Sequence, residues 1–439
     1  MEVLIKAAQL VLSLSILVVL HELGHFIPAR FFGTRVEKFY LFFDPWFSLF
    51  RFKRKDTEYG IGWLPLGGYV KISGMIDESM DKTQMQQPPQ PWEFRSKKTW
   101  QRLIIMVGGV TVNVLLGIFI YALVMFAWGK EYLPSSSVKY GIACDSLALD
   151  MGLRDGDRIL SVDYNTVGNF SKIPARIILD KAKSIQVDRG GTTIDIPVSS
   201  DNISKLIKSQ KGFIAPRIPA EVDSILPGKP AEKAGLKKGD KIIEINGAPA
   251  TFFHDVVKNL QKYKGLSVII RVERAGQKML IFSKVTEEGF IGFVPKSPEK
   301  FLEYQRLNFG FWESFPAGIR EAYEAITMQV KQLSVLFTVK DAHRSLGGFI
   351  SIGKAYDAQW DWQKFWSFTA FLSIMLAFMN ILPIPALDGG HVIFLLYEIF
   401  TGKKPHEKVL EYAQYAGMIL LLSLLLYANG NDIIRLVFK

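Results

Sequence analysis

The sequence predicts a polytopic α-helical membrane protein with four transmembrane helices and two β-rich domains. Apolar residues make up 49% of the 439-residue chain, and the mean hydropathy is positive. Four apolar segments approach the roughly 20 residues that a helix needs to cross about 30 Å of hydrocarbon. They lie near residues 4–31, 103–128, 365–382 and 411–428. Between the second and the third, one sequence pattern occurs twice, which predicts a duplicated domain.

Composition narrows the possible function classes. The net charge of +11 is compatible with nucleic-acid binding, but the sequence has no basic helix interleaved with aromatic residues, so no nucleic-acid partner is expected. Cys144 is the only cysteine, which excludes an intrachain disulfide and a cysteine-based zinc site. The first apolar segment has no small-residue cleavage site of the secretory kind, so it predicts a retained helix.

The distribution of lysine and arginine predicts the membrane topology. Basic residues cluster in the connection 32–102 and in the short connection between the third and fourth segments. Positive charge near the ends of spans marks the cytoplasmic side. Both connections are therefore predicted to be cytoplasmic, with the region 129–364 and both termini extracytoplasmic. The basic residues are Arg30, Arg35, Lys38, Arg51, Lys53, Arg54, Lys55, Arg95, Lys97, Lys98, Arg102, Lys403, Lys404 and Lys408.

The duplicated pattern runs from Ala148 to Val162 and again from Ala231 to Ile245. Both copies contain A-x-x-x-G-L-x-x-G-D-x-I, with equivalent residues 83 positions apart. This order predicts a short helix, a Gly-Asp turn and a strand. It resembles the core of PDZ domains, so we predict two PDZ-like modules in tandem. A duplicated β-rich domain that only packs is the alternative.

Two further segments have periodic patterns. Residues 311–340 carry apolar side chains at helical spacing, as expected for a helix on the outer membrane surface and equally for an ordinary packed helix. Residues 60–75 (GIGWLPLGGYVKISGM) alternate like a pair of strands with glycine at the bends. A plain cytoplasmic hairpin would give the same pattern.

The strongest chemical motif is HELGH in the first apolar segment. His21 and His25 are four residues apart, so on a helix they share one face and can bind one metal ion. Zinc suits two neutral imidazoles, and it lowers the pKa of its bound water to about 7. Glu22, on the flank of the same helix, can then act as general base while that water attacks a carbonyl. Ionisable groups within a membrane-spanning segment are usually functional. A coincidental or structural trio is the alternative.

A catalytic zinc also needs a third protein ligand and an open fourth position. Asp388 is the best candidate because it follows the third segment at a depth similar to that of His21. Pro383 and Pro385 must end the helix before it, which allows the chain to turn. Asp388 could also be the N-cap of the next segment, and His391, one turn later, is a competing ligand or a packing residue. The remaining histidines, His254, His343 and His406, are predicted to be ordinary surface residues.

Together these motifs resemble the site-2 protease family, in particular its RseP-like bacterial branch. Three features occur in the family order over essentially the whole chain. They are HELGH in the first span, the tandem PDZ-like modules and NILPIPALDGG in the third span. The resemblance implies a single zinc ion with Asp388 as its third ligand. It also implies that Asn380, Pro383 and Pro385 face the substrate. Asn380 would then donate to the substrate backbone or to the developing oxyanion, unless it only caps the broken helix.

The resemblance further implies that residues 60–75 form a membrane-dipping β-loop beside the active site. A protease must unwind a helical substrate, and the backbone groups that this frees need partners in lipid. An edge strand provides such partners by β-augmentation. We therefore assign substrate binding to Gly67, Gly68, Tyr69 and Val70 in this loop and to Asn113 in the second span.

The sequence departs from the family pattern at two positions. Val110 replaces a proline that usually precedes the asparagine at position 113, and Gly348 stands where a Gly-Pro step is common. Both changes leave the metal chemistry intact and alter only the local backbone. Asn431 and Asp432 resemble a family motif after the fourth span and are expected to be structural.

The predicted domains follow the order of these elements. In chain order they are the first span with HExxH (1–32), the cytoplasmic region with the β-loop (33–102), the second span (103–129), the first PDZ-like domain (130–212), the second PDZ-like domain (213–298), an extracytoplasmic amphipathic helical segment (299–364), the third span with the LDG motif (365–388), a cytoplasmic connection (389–408), the fourth span (409–430) and a tail (431–439).

The predicted function is regulated intramembrane proteolysis in the bacterial cytoplasmic (inner) membrane. The family implies single-span substrates, namely anti-sigma factors shortened by a first cleavage and remnant signal peptides. The PDZ-like domains would act as a size filter or as a docking site. Two other classes remain as alternatives. A scaffold with a vestigial HELGH is disfavoured by the intact Glu22, and a metal transporter by the small number of spans.

Overall fold

The computed structural model describes residues 1–65, 67–75, 87–209 and 212–437. Leu66, within the predicted β-loop, lies outside the described residues. The chain divides into two compact units. Unit one contains Met1–Gly129, Asn308–Ser334 and the chain from Leu346 onward, and unit two contains Lys130–Leu307 and Val335–Ser345.

The secondary-structure elements are numbered in chain order. The helices are α1 (Glu2–Phe31), α2 (Thr99–Trp128), α3 (Ser146–Asp150), α4 (Ile173–Leu179), α5 (Ser200–Ser209), α6 (Pro230–Lys233), α7 (Phe253–Leu260), α8 (Phe311–Thr338), α9 (Phe349–Lys354), α10 (Trp362–Ile381), α11 (Asp388–Thr401) and α12 (Glu407–Val437). The strands are β1 (Val36–Leu41), β2 (Phe43–Arg54), β3 (Thr57–Leu64), β4 (Tyr69–Ile72), β5 (Lys130–Tyr132), β6 (Ile142–Cys144), β7 (Arg158–Val162), β8 (Asn165–Thr166), β9 (Ser184–Arg189), β10 (Thr192–Pro197), β11 (Ile214–Pro216), β12 (Val222–Ile225), β13 (Lys241–Ile245), β14 (Ala248–Pro249), β15 (Ser267–Arg274), β16 (Gln277–Lys284), β17 (Phe293–Pro295) and β18 (Gln305–Leu307).

The four long apolar segments that the sequence predicts are present as helices. Among the described residues, α1, α2, α10 and α12 are the helices that are long and apolar enough to cross a bilayer. Helix α10 ends at Ile381, as the prolines at 383 and 385 require. The expected connection 389–408 contains a helix of its own, α11, which begins at Asp388.

Helix α2 is the centre of unit one and packs against α1, α10 and α11. Two glycines allow α1 and α2 to approach closely: a methyl group at Gly24 would lie 2.5 Å from the carbonyl oxygen of Gly108. Small residues serve this purpose in membrane helices because lipid provides no hydrophobic force between them. Buried polar contacts add to the packing, since the Ser373 hydroxyl of α10 donates to the Asn113 carbonyl of α2 at 2.7 Å.

The predicted helix at 311–340 is present as α8. Within unit one, Ala322 and Ala325 of α8 lie in one apolar cluster with Val124 of α2 and Ile374 of α10. A methyl group at Gly318 would lie 2.8 Å from the backbone of α2. This part of α8 is therefore a packed helix rather than one that only rests on a surface.

The β-loop region forms a four-stranded sheet in the order β2-β3-β1-β4. The two strands expected within 60–75 are present as the end of β3 and as β4, but they do not form the plain hairpin that was the alternative. Strand β1 lies between them, parallel to β3 and antiparallel to β4. The sequence of β1 lacks a clear alternation of apolar and polar residues, so the strand that separates β3 from β4 was not recognised. Strand β4 consequently forms one edge of the described sheet.

Unit two contains two similar β modules. Each has a four-stranded sheet, in the order β10-β9-β7-β8 in the first module and β14-β13-β15-β16 in the second. Strand β11 pairs with β6 and thus belongs to the first module, although it follows the expected boundary at residue 212. Strands β12 and β17 pair within the second module.

The repeat of 83 residues corresponds to a repeated structure. The turns before β7 and β13 each place a glycine at positive φ, Gly156 at +95° and Gly239 at +87°. The carboxylates that follow are buried, with Asp157 1% and Asp240 0% exposed. Each carboxylate forms an ion pair with an arginine near the end of a later strand, Arg189 and Arg274 respectively. The structural duplication is therefore present, while the PDZ-like nature of the modules stays a prediction.

Candidate active site

The predicted ligands His21, His25 and Asp388 come together within unit one. Nε2 of His21 lies 3.4 Å and Nε2 of His25 lies 3.3 Å from Oδ2 of Asp388. The two imidazole nitrogens are 3.4 Å apart. The three donor atoms thus form a nearly equilateral triangle, although the aspartate is more than 360 positions from the histidines in sequence.

This triangle fits zinc. Ligands about 2.0–2.1 Å from a tetrahedral zinc ion are separated by roughly 3.4 Å, which matches all three distances. Oδ2 of Asp388 is buried and makes no hydrogen bond, and a buried carboxylate oxygen requires a compensating partner. Three protein donors leave one tetrahedral position for water or substrate. The cluster therefore has the composition of a catalytic site rather than of a closed structural one.

The second nitrogen of each histidine is also held in place. Nδ1 of His25 donates to the Ile105 carbonyl oxygen at 2.8 Å, which leaves Nε2 with the lone pair that a metal requires. Nδ1 of His21 lies 3.1 Å from the Asn113 side-chain amide. The amide oxygen of Asn113 is buried without a partner in the assigned rotamer, and rotating the amide by 180° lets it accept from the His21 N–H. Both residues then have the same tautomer, with Nε2 directed toward Asp388.

Gly109 makes room for both imidazoles. A methyl group at this position would lie 2.3 Å from Nε2 of His25 and 2.6 Å from Cε1 of His21. Helix α2 thus approaches the HELGH face with only a hydrogen atom between the backbone and the rings. Gly109 could not be identified from the sequence, because the pair Gly108-Gly109 does not indicate which helix packs against it.

The chain between α10 and α11 turns the carboxylate of Asp388 toward the histidines. Asp388 is the first residue of α11, and Leu387 is the N-cap, so the alternative role of Asp388 as N-cap is wrong. Helix α12 supports this turn at two points. The side chain of Gln414 accepts from the Ala386 N–H at 3.2 Å, and a methyl group at Gly417 would lie 1.7 Å from the Pro385 carbonyl oxygen.

The opposite end of α11 is fixed to α2 by a buried ion pair. Nη2 of Arg102 donates to Oε1 of Glu398 at 2.5 Å, and the Thr99 hydroxyl donates to the same oxygen at 3.0 Å. Both charged side chains are about nine-tenths buried. An ion pair of this kind fixes geometry more than it adds stability, and it sets the position of the helix that begins with Asp388. The pairing of Arg102 with Glu398 was not predicted from the sequence. Arg102 belongs to a cluster of basic residues at the end of a span, and such a cluster indicates topology.

The structure places the other predicted residues at different distances from the triangle. The side-chain amide of Asn380 lies 3.3 Å from Nε2 of His21, at the edge of the donor triangle. Glu22 is 9% exposed and follows His21 on α1. Pro383 is exposed and Pro385 is half-buried. His391 is half-buried on α11 and is not among the three clustered donors.

Strand β4 begins against the helix that carries HELGH. A methyl group at Gly68 would lie 2.6 Å from Cγ1 of Val18, which precedes His21 by about one turn of α1. The Tyr69 hydroxyl donates to Oδ1 of Asp44 at 2.8 Å. Burial, together with this carboxylate, raises the pKa of Tyr69, so the phenol stays protonated and fixes the start of the strand.

Gly348, one of the two positions that depart from the family pattern, is held by contacts from α12. Oδ2 of Asp432 accepts from the Gly348 N–H at 2.9 Å and from the Ser351 N–H at 2.8 Å. The Asn429 side chain accepts from the Phe349 N–H at 3.2 Å. Helix α12 thus caps the start of α9. This geometry agrees with a structural role for Asp432.

Comparison with known proteins gives one consistent result. Peptidase family M50 matches residues 9–424. A Vibrio cholerae protein named as a zinc metalloprotease is 30% identical over 97% of this chain and 98% of its own. The Haemophilus influenzae regulator of sigma E protease is 30% identical over 99% of this chain and 100% of its own.

A further relative is the Escherichia coli strain K12 regulator of sigma-E protease RseP, which is 29% identical over 98% of both chains. The matches run along nearly the entire length of the relatives, so they include the HELGH helix, the two β modules and the segment that contains Asp388. With four apolar helices and a donor set suited to zinc, the chain belongs to peptidase family M50, the site-2 protease family, and is a membrane metalloprotease.

Proposed function

We propose that this protein cleaves single-span membrane proteins within the bilayer, using one zinc ion held by His21, His25 and Asp388. The observation that carries the proposal is the triangle of donor atoms, 3.3–3.4 Å on each side, built on a helix long and apolar enough to cross the membrane. Ionisable side chains in such a helix are costly and usually functional.

The residues around the triangle divide the chemistry among them. When bound, zinc polarises a water molecule and the scissile carbonyl. Glu22 accepts the proton of the attacking water and returns it to the leaving amine. The Asn380 amide, beside Nε2 of His21, donates to the oxygen on which negative charge develops. Asn113 keeps the ring of His21 in position from the other side.

The substrate adds as an extra strand beside β4. A transmembrane helix must be unwound before its peptide bonds are accessible, and the exposed backbone groups require partners. Strand β4 is at an edge of its sheet and starts next to α1. Gly67, Gly68, Tyr69 and Val70 would then contribute backbone hydrogen bonds, while Pro383 and Pro385 border the site where α10 ends.

The charge pattern supports the location. We interpret the basic residues beside the sheet and beside α11 as marking the cytoplasmic side, so the active site would be toward the cytoplasm, and the β modules and both termini would be outside. For a bacterial chain this is the cytoplasmic, or inner, membrane. The relatives named as regulators of sigma E protease support anti-sigma factors, after a first cleavage, as one substrate class. Remnant signal peptides are a second, since they are also single spans.

The β modules, which we interpret as PDZ-like, control access as a size filter or as a docking site for a new C-terminus. Removing residues 134–298 distinguishes these roles. The deletion admits intact substrates if the modules are a filter, and it abolishes cleavage if they are a docking site.

The proposal is tested with purified full-length protein and a model single-span substrate. Glu22→Gln removes the proton acceptor but no ligand, so we expect the cleavage rate to fall by about 10²–10⁴-fold while bound zinc is unchanged. Zinc content is measured by mass spectrometry of the metal on the same samples. Cleavage by Glu22→Gln at the wild-type rate would contradict the proposal and favour a scaffold or a transporter, in which this glutamate has no proton to move.

A further inference from the structure

A second group of metal-ligand side chains lies in unit two, at the junction of the two β modules. Donor atoms of Asp155, His254 and Asp255 all lie within 4.8 Å of one another. Asp155 is in the Gly-Asp turn before β7 of the first module, and the other two residues are in the first turn of α7 in the second module. The prediction that His254 is an ordinary surface residue is wrong, because its side chain is only 21% exposed and faces two carboxylates.

The imidazole of His254 contacts two carboxylates, and neither contact has the alignment of a good hydrogen bond. Nε2 of His254 is 3.4 Å from Oδ1 of Asp155 and 2.9 Å from Oδ1 of Asp255. Even so, both ring nitrogens are buried and neither makes a hydrogen bond. In a hydrogen bond the N–H would point at one oxygen. In a metal site the nitrogen points at the ion, and the oxygens lie beside that axis.

The distances agree with this interpretation. Ligands about 2.1 Å from one ion are roughly 3.0 Å apart at right angles and 3.4 Å apart at tetrahedral angles. The two nitrogen-to-oxygen distances fall at these values. The third separation, between the two carboxylates, is within 4.8 Å, so the three donors are close enough together to be drawn onto one ion.

Neighbouring groups hold the two carboxylates in place. Oδ1 of Asp155 accepts from the Cys144 N–H at 2.7 Å. Oδ2 of Asp255 accepts from the Phe252 N–H at 3.4 Å and lies 3.5 Å from Nη2 of Arg217. The guanidinium of Arg217 stacks on the Phe252 ring, 3.7 Å from its centroid. As a result, Oδ1 of Asp255 remains directed at the imidazole.

We propose that Asp155, His254 and Asp255 bind a divalent first-row transition metal ion, with Zn²⁺ the best match, and that this ion joins the two modules. One imidazole and two carboxylates suit such ions, and water completes the coordination. Because the ligands come from both modules, the bound ion fixes the first turn of α7 relative to the turn that contains Asp155. This site is separate from the one that performs proteolysis, so the proposal does not depend on the proposed function.

The test uses full-length protein in detergent, stripped with a chelator and titrated with Zn²⁺ by equilibrium dialysis. Wild type should bind two equivalents. His254→Ala and Asp155→Asn should each bind one equivalent in the same concentration range, because the loss of a ligand weakens the junction site by at least about tenfold. His21→Ala should also retain one equivalent, at the junction. His343→Ala, which changes a histidine of unit two outside the cluster, is the matched control and should bind two.

Amide hydrogen exchange tests whether the ion joins the modules. Zinc should slow exchange both in α7 and in residues 152–157 of the wild type and of His21→Ala, but in neither segment of His254→Ala. A stoichiometry of one in the wild type that His21→Ala abolishes would overturn the proposal. Two equivalents in both His254→Ala and Asp155→Asn would do so as well. Protection limited to one of the two segments would refute the bridge between modules.

Discussion

Two groups of histidine and aspartate in this chain have the same donor types and different surroundings. In unit one the donors are separated by 3.3–3.4 Å, and the three side chains are 7–15% exposed. In unit two the distances spread from 2.9 to 3.4 Å, the side chains are 20–24% exposed, and Arg217 and Lys258 lie beside the carboxylates. Similar ligands can therefore form either a regular buried site or a looser, partly neutralised one.

The difference follows from the cost of burying charge. A carboxylate inside apolar surroundings needs a cation or several hydrogen bonds, and Oδ2 of Asp388 has no hydrogen bond. At the module junction, Arg217 and Lys258 share that role. We therefore expect the membrane site to depend strongly on zinc and the junction site to bind it more weakly. Three substitutions test this comparison, and their expected effects decrease in the order given.

The largest effect is expected from Asp388→Ala. The substitution removes one side of the triangle and leaves two imidazoles, which provide fewer ligands than a catalytic zinc site uses. Cleavage of a single-span substrate should become undetectable, and zinc content should fall by one equivalent while the junction site keeps its own. Asp195→Ala, an exposed aspartate of β10, is the control and should match the wild type in both measurements. Full zinc content in Asp388→Ala would remove this residue from the ligand set.

A smaller effect is expected from Gly109→Ala, which keeps all three ligands. The added methyl group would lie 2.3 Å from Nε2 of His25, so the rings or the helix must move. Such a shift in the support of a ligand typically reduces metal affinity by about 10–100-fold. Competition with a chelator measures the affinity of the membrane site directly.

Gly430→Ala is the matched control for Gly109→Ala. Gly430 is also a helical glycine, and a methyl group there would have no neighbour within 4 Å. We expect its zinc affinity to equal that of the wild type. Equal affinities of Gly109→Ala and Gly430→Ala would show that the close approach of α2 is not needed for metal binding.

The sequence predicted the features that depend on local spacing. His21 and His25 lie one turn apart on any helix, the four apolar segments have the length of spans, and the two Gly-Asp turns repeat in register. Asp388 was found because few ligands occur in apolar segments and because the whole pattern resembles a known family. In each case the relevant residues are close together in the sequence, or they are recognised because ionisable residues are rare in membrane-spanning segments.

Features that depend on which elements become neighbours could not be predicted in this way. Gly109 lies against the histidines only because α2 crosses α1 there, and Gln414 supports the turn before Asp388 only because α12 packs there. Strand β1 separates β3 from β4, against the tendency of consecutive strands to pair. The junction cluster joins residues about 100 positions apart, in modules whose repeat does not duplicate these side chains.

The smallest effect is expected from Lys258→Ala at the module junction. Nζ of Lys258 lies 4.0 Å from Oδ2 of Asp155 and is 56% exposed, so it competes with a metal ion for the carboxylate only weakly. Surface pairs of this kind contribute about 0.2–1 kcal/mol. Removing the lysine should therefore strengthen zinc binding at the junction by about 1.4- to fivefold, measured by equilibrium dialysis in His21→Ala, which lacks the membrane site. Because salt screens exposed charges, the gain should shrink at high ionic strength. Weaker binding after this substitution would mean that the lysine supports the ligands instead of opposing the ion, and the contrast between the two clusters would then rest on burial alone.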